Sequence, residues 1–108
     1  MSQIDLQHFL RDDAQLPRST TLAQERGLRT LLLHLAAGET IPEHQTRGAI
    51  TVHCLKGKGG FFLPDERIGL RPGLLISVPP AAMHSVTAEA DLLLLVTISE
   101  QIPAPSAA

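Results

Sequence analysis

Apolar positions in this sequence come in short runs, each closed by glycine, proline, aspartate or a charged residue. Ile50, Val52 and Cys54 alternate with Thr51 and His53, the two-residue period of a strand with one buried face. Leu31 to Leu33 and Leu92 to Leu95 are continuous instead, but their shortness and β-branched neighbours favour strand over helix. Strands are expected around Thr20 to Leu22, Leu28 to Leu35, Ile50 to Leu55, Gly60 to Leu63, Arg67 to Leu70, Leu74 to Val78, Met83 to Thr87 and Leu92 to Ser99. Strands at this spacing leave no room for a long helix and predict an all-β jelly-roll barrel of two sheets.

The punctuation supports this reading. Pro64, Asp65 and Glu66 separate two strand-like runs, and Arg71, Pro72 and Gly73 have the proline and glycine of a tight turn, so each predicts a hairpin connection. Pro79 and Pro80 remove two backbone donors after Val78, which ends the strand there. Ile4 to Leu10 suits a helical turn or an edge strand. The expected organisation is an N-terminal segment over 1–19, one barrel over 20–100 and a tail over 101–108, disordered because "PAPSAA" has too little apolar surface to order itself.

Composition narrows the function classes. A chain of 108 residues with 44% hydrophobic and 19% charged residues makes one ordinary globular domain. A net charge of -2 supplies no basic field for nucleic acid. The single cysteine, Cys54, has no disulfide partner within the chain, so a cytoplasmic location is the default expectation. The N-terminus carries acids where a secretion signal needs an apolar core, and the leucine runs fall short of the roughly 20 residues of a membrane-spanning helix. Neither secretion nor membrane insertion is expected.

Two spaced patterns carry the candidate chemistry. The first runs Gly38, five residues, His44, one residue, Thr46, three residues, Ile50, six residues, Gly57; the second runs Gly73, five residues, Pro79, one residue, Ala81, two residues, His84. Together they resemble the cupin motifs G(X)5HXH(X)3,4E(X)6G and G(X)5PXG(X)2H(X)3N, over Gly38 to Ala88. The resemblance implies a small β-barrel of the cupin (RmlC-like) kind. It also implies a metal site built from two histidines and a carboxylate of the first motif and one histidine of the second. Here the first histidine is His44 and the last is His84, while Thr46 and Ile50 stand where the second histidine and the carboxylate would be. Ala81 replaces a glycine, and Ala88 replaces the closing asparagine.

Strand parity and the two motifs then define an expected pocket of His44, Thr46, Ile50, Val52 and His84, with Met83, beside His84, as a further expected wall. His44 and His84 are the candidate metal donors, and His53 joins them only if a bulge inverts the alternation after Ile50. Glu43 and Gln45 have the parity opposite to His44. Cys54 reads as a small buried hydrophobe, and His8 and His34 as surface or packing residues.

The reading favoured is a small-molecule binder with the pocket around His44 and His84. The alternative is a metal-assisted enzyme of oxygenase or isomerase type, using a weakly held divalent transition metal on a small organic substrate. No catalytic residue is assigned. A metal-free sugar epimerase with a histidine base and a tyrosine acid is excluded, since the chain has no tyrosine. Open sheet edges and apolar residues on both strand faces lead us to expect a homodimer. Light scattering at micromolar concentration should then give twice the 11.6 kDa of one chain, and a monomer mass would refute it.

Overall fold

Nine strands fold into two facing antiparallel sheets in the computed structural model, which describes residues 3–100; the tail expected at 101–108 lies outside the described residues. The strands are β1 (Ser19–Glu25), β2 (Leu28–Leu35), β3 (Thr40–His44), β4 (Ile50–Lys56), β5 (Gly59–Leu63), β6 (Glu66–Leu70), β7 (Leu75–Val78), β8 (His84–Ala88) and β9 (Leu92–Ser99). One sheet runs β1-β2-β9-β4-β7 and the other β3-β8-β5-β6. No helix among the described residues is long and apolar enough to cross a membrane.

The inner faces of both sheets supply the core. Val52 and Cys54 of β4 and Leu92 and Leu94 of β9 come from the larger sheet, and Phe61 of β5 and Leu70 of β6 from the smaller. Ile50, Val52 and Cys54 are buried as their parity requires, while Thr51 and His53 lie half-buried on the outer face. His53 sits between Leu75 of β7 and Leu95 of β9 in the ladder, and no irregularity between Ile50 and His53 turns it inward.

The continuous leucine runs have a structural cause. Leu94 packs in the core, and its neighbour Leu93, on the opposite face, is also only 2% exposed. Leu93 and His34 share a small hollow with Phe9 and Leu16 of the N-terminal segment, which crosses the outer face of the larger sheet. That segment contains a short 3-10 turn, Leu6–Phe9, capped by the Asp5 carboxylate on the Gln7 amide. An ion pair from Lys56 Nζ to Asp12, at 2.9 Å, bridges the segment to β4. Strands covered on both faces have no reason to alternate.

Two expectations need correction. Eight strands were expected and nine are present, the extra one being β3, which carries His44. Its sequence, Thr-Ile-Pro-Glu-His, is mostly exposed and interrupted by Pro42, features of an edge strand that hydrophobic patterning does not register. The Arg71–Gly73 turn is not a hairpin: it carries the chain from β6 in one sheet to β7 in the other. Gly73, with φ 93°, donates to the Cys54 carbonyl and fixes this crossing. Pro64 and Asp65 do join β5 and β6 as a hairpin.

Ala81 is the one residue other than glycine, among those described, with a positive φ, 65°. Its amide donates to the Thr46 carbonyl at 2.8 Å, which ties the loop before β8 to the loop after β3. A left-handed conformation costs an L-residue about 1–2 kcal/mol, whereas glycine loses about 0.5–1 kcal/mol more backbone entropy on folding. Relief of strain exceeds the entropy, so Ala81→Gly should stabilise the protein by about 0.5–1 kcal/mol. Urea unfolding should show a higher midpoint at unchanged slope; a lower midpoint would mean that Ala81 is not strained.

Candidate functional site

Between the two sheets lies a cavity of about 320 Å³. Its walls are chiefly aliphatic: Leu31 and Leu33 of β2, Ile50 and Val52 of β4, Leu94, Val96 and Ile98 of β9, and Ile41 and Val86 of the smaller sheet. Phe61 supplies an aromatic wall, and the polar groups are His44, His84, Thr46, Arg18 and Ser19.

His44 reaches this cavity because of an irregularity in β3. Ile41 pairs with Val86 and His44 pairs with His84, so three steps along β3 match two along β8. Ile41 faces the cavity, and regular alternation from it would send His44 outward. One extra residue in β3 inverts the alternation and brings His44 inward beside His84. Pro42 lies within the irregular stretch, where its missing N–H takes nothing from the ladder.

The two imidazoles are neighbours, with ring centroids 4.2 Å apart and planes inclined at 61°. His84 is buried, 3% exposed, and lies nearly parallel to Phe61 at 5.6 Å; His44 is exposed at the mouth. Each ring is fixed by the backbone two residues before it. His44 Nδ1 lies 2.9 Å from the Pro42 carbonyl oxygen, and His84 Nδ1 lies 2.9 Å from that of Ala82. A carbonyl only accepts, so each Nδ1 must carry the proton and donate. Burial holds the His84 pKa below the usual imidazole value; the bond to Ala82 opposes this and the proximity of His44 adds to it.

Two of the remaining polar groups, Thr46 and Arg18, are already engaged. The Thr46 hydroxyl donates to the Gly48 carbonyl at 2.9 Å. At the rim, Arg18 donates to Glu39 at 3.1 Å and to the Thr40 carbonyl at 2.6 Å, which neutralises its charge.

Of the residues expected in the pocket, the structure brings His44, Thr46, Ile50, Val52 and His84 together. Met83 is not on the lining: it is next to His84 in the chain, and adjacent residues of an extended segment point to opposite sides. His53 is on the outer face, away from the pair. Cys54 points inward but is fully buried and off the cavity, and burial pushes its thiol pKa up. Sequence reasoning missed Arg18, Ser19 and Phe61. Phe61 had a usable signal, an aromatic in a run with strand character, whereas nothing local marks Arg18 or Ser19.

No protein-family model matches the chain, and no curated protein does. Solved structures do match. An RmlC-like cupin from Desulfovibrio desulfuricans is 25% identical with a TM-score of 0.76, over 92% of this chain and 96% of that one. A cupin superfamily protein from Desulfitobacterium hafniense is 24% identical with a TM-score of 0.74, over 84% and 82%. The chain has the fold of a small cupin domain. A DMSP lyase from Ruegeria pomeroyi shares the fold at 20% identity and a TM-score of 0.71, but this chain spans only 48% of it.

The metal centre implied by the cupin resemblance does not fit the residues present. Among the described residues no group of three or more His, Cys, Asp or Glu is placed to hold a metal ion. His44 and His84 offer two nitrogens, the Thr46 hydroxyl is a poor ligand already bonded to Gly48, and Ile50 offers none. Catalytic zinc centres use three protein ligands. Replacing Thr46 with His and Ile50 with Glu in this chain should therefore raise its affinity for a divalent first-row metal at least tenfold by calorimetry. If the unaltered protein keeps one metal per chain through dialysis against a chelator, the two-donor description is wrong.

Proposed function

We propose that this cupin binds a small, largely apolar molecule in the cavity between its sheets. The observation that carries the reading is the wall chemistry: aliphatic side chains from both sheets and Phe61 enclose the space, with two imidazoles on one side. A volume of about 320 Å³ is at the lower end of small-molecule sites, enough for a single substituted ring. Apolar burial supplies affinity, at about 25 cal/mol per Å² removed from water, and the few polar groups set orientation. The metal-assisted alternative asks for donors that Thr46 and Ile50 do not provide.

The test uses a probe without any hydrogen-bond donor, 4-ethylanisole. Titrated against labelled protein, it should shift the methyl resonances of Leu31, Leu94, Val96 and Ile98 in a saturable way, leaving the exposed Leu75 unmoved. Ile98→Phe, at a half-buried wall position, should fill part of the space and weaken binding at least tenfold. Shifts absent from the wall, or unaffected by this filling, would overturn the reading.

A further inference from the structure

The histidine pair also restricts the kind of polar group that an occupant can bring. With each Nδ1 proton committed to a backbone carbonyl, a neutral ring presents a bare lone pair at Nε2. Neither Nε2 has a hydrogen-bond partner among the described residues. His84 Nε2 is also not sealed, for the only buried side-chain nitrogen or oxygen without a hydrogen bond among those residues is Arg29 Nε of β2, which faces Glu100 Oε1 at 3.4 Å. A residue 3% exposed whose free nitrogen remains reachable is reached from the cavity.

The wall therefore offers acceptors where most small-ligand anions need donors. Arg18, the cation on the lining, is committed to Glu39 and to the Thr40 carbonyl, and the Thr46 hydroxyl to Gly48. The Ser19 hydroxyl both donates and accepts, so it does not discriminate. A carboxylate placed against the pair would give up water and meet two lone pairs, an uncompensated burial of charge. A hydroxyl would donate to Nε2 and complete it.

We propose that the cavity selects neutral ligands carrying a hydroxyl donor, of the phenol or alcohol class, and rejects carboxylates of the same shape. The selection rests on the binding reading above and adds a polar rule to it. His44 and His84 are then specificity residues, and the two backbone carbonyls of Pro42 and Ala82 are what make them acceptors.

Calorimetry and methyl shifts at pH 8 with 4-ethylphenol, 4-ethylanisole and 4-ethylbenzoate test this selection, because the three share a body and differ in the head group. The phenol should bind at least tenfold tighter than the methyl ether, the scale of one hydrogen bond gained against an acceptor left unpaired, and the carboxylate should bind weakest. In His44→Phe and in His84→Phe the ether should still bind while the phenol loses most of its advantage. Ether equal to phenol, carboxylate tightest, or a preference that survives both variants would overturn the selection and leave the binding reading intact. Failure of all three compounds to bind would overturn both. Should a variant not fold, the order of the three affinities on the unaltered protein still supports or overturns the selection.

Discussion

The candidate site depends on one pairing, that of β3 with β8. Those strands bring two distant sequence motifs edge to edge, and the extra residue in β3 decides which face His44 takes. Had the ladder been regular, His84 would face the cavity without its partner. Pro42 sits in the irregular stretch, tolerates the missing ladder bond and lends its carbonyl to the His44 ring. One proline thus permits the turn of the strand and sets the tautomer of the side chain it redirects. The amide of Ala81 on the Thr46 carbonyl holds the adjoining loops together just outside the pair.

Around that pair the domain is ordinary. The core is aliphatic apart from Phe61 and Cys54, and His84 is the only buried polar or charged residue among those described. It can be buried because it is neutral, bonded at one nitrogen and stacked on Phe61, which limits the desolvation that a charged ring would suffer. The mouth carries the charges, and there Arg18 and Glu39 cancel one another. Polar chemistry at the centre is consequently weak in charge and specific in hydrogen-bonding sense.

Much of the fold was legible in the chain. The two-residue period of Ile50, Val52 and Cys54 placed β4, and the glycine, proline and histidine spacing pointed to the barrel that the solved structures share. What escaped was decided by register and not by local pattern. An exposed strand with a proline has no periodicity to read, so β3 went unseen even though its last residue was singled out. The Arg71–Gly73 turn has hairpin chemistry, yet its flanking strands belong to different sheets, a fact of topology. Arg18 and Ser19 reach the cavity from the start of β1, and no spacing ties them to His44. Met83 shows the reverse error, in which nearness in sequence to His84 suggested a shared surface.

The near-parallel stack of Phe61 on His84 gives the protein an internal spectroscopic marker. In a chain with neither tyrosine nor tryptophan, the ring currents of Phe61 at 5.6 Å and of His44 at 4.2 Å should displace the carbon-bound proton signals of His84 from those of the more distant imidazoles. The same poverty of aromatic residues leaves the region near 280 nm almost dark. Any aromatic occupant would therefore absorb against a nearly blank background, and the protein would report its own cargo by colour in the ultraviolet.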